Sequence, residues 1–203
     1  MTPAGPGMAH AGPGMTPAGE VLDLLRVLGQ SVATAESLTG GLVCAALTDV
    51  PGSSAVVRGA VVSYAVEVKE QVLGVPADVL AQHGAVSREC AEAMARGVRA
   101  VVGADWGVAT TGVAGPEPSE GKAVGTVHVA VCGPGALEAG PDADAREQRT
   151  AHRVLHLDGS RTQIREQTVA AALELLRDTL GRGLSGGDGT VGHHPAGAPD
   201  ETD

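Results

Sequence analysis

A serine just ahead of a glycine pair occupies a position suited to nucleophilic chemistry. Ser37 follows a short apolar segment, and Gly40 and Gly41 lead into residues 42–47, which are apolar enough to form a helix. A strand that turns into a helix here places the Ser37 hydroxyl beside unpaired N–H groups of the helix N-terminus, where an oxyanion is stabilised. The same pattern is typical of a plain helix N-cap, so the segment alone leaves both interpretations open.

A tyrosine and a lysine close to each other provide candidate acid–base groups. Lysine occurs only at Lys69 and Lys122, so 12 of the 14 basic residues are arginines, and Tyr64 is the single tyrosine in a chain without phenylalanine. Arginine keeps its proton in proteins, whereas a desolvated lysine amine can act as a base. A purely apolar role for Tyr64 would be served by leucine or valine, which indicates that its phenol oxygen is needed. Chance placement of so few lysines and tyrosines is the alternative.

Two further segments have the composition of anion-binding sites. Thr111 and Gly112 follow an apolar segment, and a glycine-rich turn after a strand can bind phosphate or ribose through backbone N–H groups, although a simple tight turn explains it equally well. Arg161 and Arg165 lie one turn apart at the start of the last predicted helix. They are either surface charges or, added to the positive end of that helix, ligands for a phosphate.

Composition excludes several classes of protein. The chain has 203 residues, a net charge of −10 and a pI near 5.1, which argues against a general nucleic-acid or anionic-membrane surface. The three cysteines show no C-x-x-C pairing, which indicates reduced thiols in a cytoplasmic protein rather than a zinc site or a disulfide framework. The N-terminus lacks the basic start and apolar run of a signal peptide, and no apolar segment is long enough to span a bilayer.

The elements that must position these residues alternate between strands and helices, which predicts one three-layer α/β/α domain over residues 20–182. Sites in open α/β sheets form beyond the carboxyl ends of the strands, where Ser37 and Tyr64 fall. Residues 1–19 and 183–203 are rich in proline and glycine, which predicts a disordered leader and tail. The predicted strands are 31–35, 56–64, 106–110, 125–132 and the edge strand 148–157. The predicted helices are 20–30, 67–73, 77–83, 88–102 and one that begins after Ser160; residues 133–144 form an acidic connection.

Seven short motifs occur in the order and spacing of one known family. The chain resembles the C-terminal domain of competence/damage-inducible protein A (CinA), whose stand-alone members are nicotinamide mononucleotide (NMN) amidases, over roughly residues 20–182. The motifs are Ala-Glu-Ser-Leu-Thr-Gly-Gly at 35–41, Thr-Asp-Val-Pro-Gly-Ser-Ser at 48–54, Tyr64 with Lys69, Leu-Gly-Val at 73–75, Gln-His-Gly-Ala-Val-Ser at 82–87, Thr-Gly-Val-Ala-Gly-Pro at 111–116 and Val-Gly-Thr-Val at 124–127.

The resemblance implies a mixed sheet, a homo-oligomer, a small nucleotide as substrate, and hydrolysis of NMN to nicotinate mononucleotide and ammonia without metal or cofactor. Ser37 would be the nucleophile, with Lys69 as its base, either directly or through Tyr64. The implied oxyanion donors are the backbone N–H groups of Thr39, Gly40 and Gly41. The implied substrate-binding residues are Thr111, Gly112, Arg161 and Arg165.

The chain departs from the family pattern in the residues just before Lys69. Where the family reads Tyr-Ser-Asn-x-x-Lys, this chain has Ala65 and Val66 after Tyr64, which removes an amide that could orient Lys69 or the pyridine ring. Two other functions therefore stay open. One is a non-catalytic nucleotide-binding or protein-interaction module with the same fold, and the other is a Ser/Lys amidase that acts on another small amide.

Overall fold

The computed structural model describes residues 16–135 and 149–185. The predicted leader up to residue 15, the acidic connection from residue 136 on, and the tail beyond residue 185 lie outside the described residues. Apart from a short 3₁₀ helix at Ser53–Ala55, the described residues form six α-helices and five strands. In chain order these elements are α1 (Pro17–Leu28), β1 (Val32–Glu36), α2 (Leu42–Thr48), β2 (Val57–Val62), α3 (Val66–Gln71), α4 (Ala77–His83), α5 (Arg88–Val102), β3 (Trp106–Gly112), β4 (Thr126–Gly133), β5 (Arg149–His156) and α6 (Arg161–Ser185).

The five strands form one mixed sheet in the order β2-β1-β3-β4-β5. Strands β2, β1 and β3 run parallel, whereas β3 with β4 and β4 with β5 pair antiparallel. The predicted mixed sheet is confirmed, and β5 is an edge strand as its alternating polar residues predict. Because parallel strands end at the same edge of a sheet, the carboxyl ends of β1, β2 and β3 meet there.

Helices cover both faces of the sheet, which confirms the three-layer α/β/α architecture and the single domain. One core joins α1, α2 and α6 to alternate valines of the strands, and a second joins α5 to the small residues on the opposite face. The strand period of two explains this division, since Val32 belongs to the first core and Ala33 and Ala35 to the second. Valine, leucine and alanine build these cores almost alone, as a chain with 1% aromatic residues requires.

The two end helices extend beyond the predicted domain limits. Helix α1 begins at Pro17 rather than at Glu20, because Thr16 caps it by accepting a hydrogen bond from the N–H of Gly19 and proline suits the first helical position. Ala18 is buried in the core, so this part of the predicted leader belongs to the domain. Helix α6 continues past residue 182 to Ser185. In the described part of the chain, no helix combines the length and apolarity needed to cross a membrane.

Candidate active site

Ser37 lies in a tight turn between β1 and α2, as the sequence predicts. Its N–H donates to the carbonyl of Thr110 at 3.0 Å, which continues the parallel pairing of β1 with β3, and its own carbonyl accepts from the N–H of Gly40 at 3.1 Å. Gly40 and Gly41 have φ angles of 61° and 100°, a left-handed conformation that glycine adopts without steric cost. The glycine pair is therefore required by the turn that carries Ser37.

Glu36, which ends β1, is a functional residue that sequence reasoning missed. Its side chain is fully buried, and its carboxylate accepts hydrogen bonds from the N–H groups of Gly41, Val43 and Cys44 at 2.8–3.0 Å and from the hydroxyl of Thr34 at 2.9 Å. Helix N-termini stabilise negative charge, and four donors compensate the desolvation of this carboxylate. A lone acidic residue at the end of an apolar strand is the signal that could have identified it.

Two of the predicted oxyanion donors, Gly40 and Gly41, need a correction because the fold already uses their N–H groups. The N–H of Gly41 is bonded to Glu36 and that of Gly40 to the carbonyl of Ser37, and neither glycine nor Thr39 lines the cavity in front of Ser37. The hydroxyl of Thr39 is paired instead with that of Thr110 at 2.7 Å. Leu38 lines the cavity, and its N–H has no acceptor among residues 16–135 and 149–185. An oxyanion on a substrate at Ser37 would therefore be met by the N–H of Leu38.

Lys69 reaches Ser37 from helix α3. The lysine is 1% exposed, and its Nζ lies 3.1 Å from the Oγ of Ser37. The same Nζ donates to the carbonyl oxygens of Ser63 and, at 3.4 Å, Tyr64. A neutral amine has two hydrogens and one lone pair. Because the two carbonyls can only accept, an amine in the neutral form would give both hydrogens to them and turn its lone pair to the Ser37 hydroxyl.

The surroundings of Lys69 favour its neutral form. Burial lowers the pKa of Lys69 below its ordinary 10.5, while Cys90 and Glu120 act in the opposite direction. Burial also raises the pKa of Cys90 to about 11, so at neutral pH Cys90 is an uncharged thiol that does not hold a proton on the lysine. Of these two opposing groups, Glu120 is therefore the one that carries charge.

Of the two expected arrangements of the base, the structure shows the direct contact between Lys69 and Ser37 and does not place Tyr64 as a relay between them. The side chain of Tyr64 is 61% exposed, and its hydroxyl accepts a hydrogen bond from Arg161 at 3.0 Å. No hydrogen bond joins that hydroxyl to Ser37 or Lys69 in the described chain, because Lys69 contacts Ser37 directly. Arg161 also donates to the carbonyl of Gly115 at 2.7 Å. These two bonds aim the guanidinium at the mouth of the cavity rather than at the reacting groups.

A cavity of about 310 Å³ opens in front of the Ser37 and Lys69 pair. Six predicted site residues contribute to its wall, namely Ser37, Tyr64, Lys69, Thr111, Gly112 and Arg161. The hydroxyl of Thr111 donates to the carbonyl of Ala85 at 2.7 Å, so it shapes the wall and is not free for a ligand. The volume lies within the range of about 300–1,000 Å³ that is typical of small-molecule sites.

Arg165 does not take part in this wall, contrary to its predicted role in substrate binding. Its Nε and Nη2 donate to the carbonyl oxygens of Leu38 and Thr39, each at 2.9 Å. Arg161 and Arg165 lie on the same face of α6, and a rise of about 6 Å along the helix axis places Arg165 against the Ser37 turn while Arg161 faces the cavity. The spacing on the helix indicated a shared role for the two arginines. The packing of α6 against the Ser37 turn gives them different contacts.

The wall also contains residues that were not predicted, among them two carboxylates and an exposed valine. Glu117 and Glu120 come from the loop between β3 and β4, and Val66 from the start of α3. The Glu120 carboxylate accepts from the N–H of Val86 at 3.2 Å, which ties this loop to the segment before α5. The composition of the loop gave no signal for Glu117 and Glu120, because a polar loop with carboxylates is usually solvated. Among the described residues, no group of three or more His, Cys, Asp or Glu side chains is arranged to hold a metal ion.

Comparison with known sequences identifies one matching family, described as CinA C-terminal domain, over residues 15–180. A CinA-like protein of Frankia casuarinae is 50% identical over 162 residues, which cover 80% of this chain and 34% of the relative. A putative competence-damage inducible protein of Desulforamulus reducens is 47% identical over 152 residues, which cover 75% of this chain and 34% of that relative. The chain thus spans about a third of the length of these curated relatives.

Solved structures with the same fold match over nearly their whole length. The competence damage-inducible protein A (ComA) of Klebsiella pneumoniae superposes with a TM-score of 0.72 at 33% identity, covering 81% of this chain and 95% of the other. The competence/damage inducible protein CihA of Agrobacterium tumefaciens superposes with a TM-score of 0.66 at 40% identity, covering 80% and 96%. These names describe those proteins and state no reaction.

Proposed function

Because the chain belongs to the CinA C-terminal domain family, we propose that it is an amidase that hydrolyses NMN to nicotinate mononucleotide and ammonia. The observation that carries this proposal is the 3.1 Å contact between the Oγ of Ser37 and the Nζ of the buried Lys69, at the wall of a cavity sized for a small molecule. An alcohol paired with a desolvated amine is an arrangement for nucleophilic catalysis.

Ser37 begins the reaction by attacking the carboxamide carbon. The neutral Lys69 takes the hydroxyl proton as the Oγ–C bond forms, because its lone pair faces that hydroxyl. The carbonyl oxygen becomes an oxyanion, and the N–H of Leu38 stabilises it. The partial positive charge of the α2 N-terminus contributes little, since the carboxylate of Glu36 already occupies its N–H groups.

Lys69 then returns the proton to the amide nitrogen, the C–N bond breaks, and ammonia leaves an acyl ester on Ser37. A water molecule attacks this ester while Lys69 accepts a proton from the water. Lys69 then passes the proton to the Oγ of Ser37 as the ester bond breaks. Ser37 and neutral Lys69 are thereby regenerated with nicotinate mononucleotide as product. The carbonyls of Ser63 and Tyr64 keep the amine oriented through both half-reactions.

The charges around the cavity suit NMN, which carries a cationic pyridinium ring and an anionic phosphate. Arg161 lies at the mouth of the cavity. The N–H groups of its guanidinium that are not bonded to Tyr64 or Gly115 can bind phosphate oxygens. Glu117 and Glu120 line the same cavity and provide negative charge for a pyridinium. We place the phosphate at Arg161 and the ring between Arg161 and Ser37.

A second candidate is the hydrolysis of another small amide by the same pair of residues. The observation that favours it is Val66, which is 41% exposed and lines the cavity where the family pattern has asparagine. An apolar side chain there offers no hydrogen bond to a substrate ring. Lys69 does not depend on that asparagine, since backbone carbonyls orient its amine.

The test is ammonia release by the purified chain supplied with NMN, with nicotinate mononucleotide identified as the second product. Parallel reactions with nicotinamide and with other small carboxamides distinguish NMN from the second candidate. Binding of NMN without release of ammonia would instead favour a non-catalytic nucleotide-binding module. The proposal also includes a homo-oligomer in the cytoplasm, and light scattering after size-exclusion chromatography checks the subunit number.

Arg161→Met is expected to raise the KM for NMN by about 10–100-fold, because a charge-assisted hydrogen bond contributes about 1.5–3 kcal/mol. For nicotinamide riboside, which lacks the phosphate, the same change should leave KM nearly unaltered. Steady-state kinetics with both substrates measure the difference. Arg58→Met removes an exposed arginine of β2 outside the cavity and is the matched control. An equal rise in KM for both substrates would contradict the placement of the phosphate.

A further inference from the structure

The turn that carries Ser37 is held from two sides by charged side chains that do not face the cavity. On one side Glu36 accepts the N–H groups of Gly41, Val43 and Cys44. On the other side Arg165 donates to the carbonyls of Leu38 and Thr39. The Glu36 carboxylate thus binds N–H donors of the turn and of the helix start, and the Arg165 guanidinium binds carbonyl acceptors of the turn.

Both contacts have the geometry of fixed restraints. The Glu36 bonds are 2.8–3.0 Å long, and the carboxylate that accepts them is fully buried, which limits competition from water. The Arg165 bonds are both 2.9 Å, and two bonds from one planar guanidinium fix an orientation that a lysine ammonium cannot reproduce. A Cβ on Gly40 would lie 3.4 Å from the Nη2 of Arg165, so the turn and the guanidinium are in close contact.

A shift of this turn would move the nucleophile, because the backbone of Ser37 is part of the turn. Ser37 lies between Glu36 and Leu38, and its side chain must stay 3.1 Å from the Nζ of Lys69, which comes from a different helix. A turn free to shift by about 1 Å would lose that contact, and misplacement of this size can cost about 100-fold in rate. We propose that Glu36 and Arg165 are positioning residues that hold the Ser37 hydroxyl against Lys69; this inference rests on the amidase function proposed above.

Arg165→Lys and Arg165→Met are expected to lower kcat for NMN by about 10–100-fold with little change in KM, because misplacement of the nucleophile affects the chemical step. Glu36→Gln should act in the same direction, since the amide nitrogen it introduces would face N–H donors. Arg177→Met removes an arginine of the same helix that is paired with Glu20 and Asp178, and is the control. Thermal denaturation of each variant establishes that it is folded.

A second readout does not depend on the substrate. A fluorophosphonate reacts with an activated serine: the Oγ–P bond forms, the P–F bond breaks, Lys69 takes the hydroxyl proton and fluoride leaves. The intact mass of the protein follows this reaction at Ser37. We expect Arg165→Met to slow it by the same factor as kcat, and added guanidinium to restore part of the rate in Arg165→Ala.

The outcomes separate this inference from the amidase proposal. A raised KM with unchanged kcat in the Arg165 variants would make Arg165 a substrate contact and overturn the inference. Fluorophosphonate labelling at the wild-type rate in folded Arg165→Met would overturn it as well. If the wild type labels at Ser37 but releases no ammonia from NMN, the proposed substrate fails, while slower labelling of the variants would still support the positioning role.

Discussion

Ser37→Ala is expected to lower ammonia release from NMN by about 10⁴-fold or more, because loss of a catalytic serine removes the covalent route and leaves only the contribution of the binding site. The side chain is half-buried and makes its bond to Lys69 at 3.1 Å, so alanine fits without displacing the turn. NMN should still bind, since Arg161 and the cavity wall are intact. Steady-state ammonia release and calorimetric binding measure the two effects.

Ser54→Ala is the matched control, because Ser54 is exposed and lies outside the cavity. It should retain wild-type activity. Retention of most of the activity by Ser37→Ala would show that the nucleophile is a water molecule or another residue. Loss of NMN binding together with activity would show that the serine serves in binding rather than in attack.

Lys69→Met is expected to reduce kcat by about 10²–10⁴-fold, the range associated with a general base, while the volume of the buried side chain is largely kept. The change also leaves the carbonyls of Ser63 and Tyr64 without their donor, so some loss of thermal stability should accompany it. Lys122→Met changes the only other lysine, which is exposed, and should leave activity unaltered. Activity near the wild-type level in folded Lys69→Met would contradict the assignment of the base.

The role of Lys69 also predicts the pH dependence of the reaction. Burial lowers the pKa of Lys69, and the base is active only when neutral, that is, above that pKa. As pH falls through it, the amine gains a proton and kcat/KM should fall. Glu120 opposes this shift by raising the pKa of Lys69, so Glu120→Gln should move the acidic limb of the profile to lower pH. A limb that moves to higher pH would contradict this electrostatic assignment.

Much of the fold follows from local patterns in the sequence. Helix α5 begins after Ser87, whose side chain accepts the N–H of Cys90, and α6 begins with a reciprocal pair of bonds between Ser160 and Gln163; both caps are predictable from residue type and spacing. The strand that ends before Ser37 and the break before α4 are likewise predictable from the local sequence. The candidate site was predictable where it depends on strand ends, which place Ser37 and Tyr64 at one edge of the sheet, while the pairing of Ser37 with Lys69 was expected from the family resemblance.

The role that sequence reasoning assigned wrongly to Arg165 depends on contacts between residues far apart in the chain. Arg165 and Arg161 are equivalent by spacing, and only the packing of α6 decides that one binds the Ser37 turn and the other the cavity mouth. The amides of Gly40 and Gly41 were expected to be unpaired, whereas Gly40 donates to the carbonyl of Ser37 within the turn and Gly41 to the carboxylate of Glu36. Sequence reasoning left open whether Lys69 acts on Ser37 directly or through Tyr64, and direct contact between Ser37 and Lys69 leaves the phenol of Tyr64 to Arg161.

The protonation state of Lys69 is the physical basis of the whole mechanism, and the chain offers an unusually simple way to measure it. With lysine only at positions 69 and 122, an NMR titration of the lysine Nζ groups contains two resonances, and Lys122→Met assigns them. We expect the Lys69 resonance to titrate clearly below 10.5, the ordinary lysine value. A Lys69 resonance that titrates at or above that value would show a permanently charged ammonium and would contradict its role as the base for Ser37.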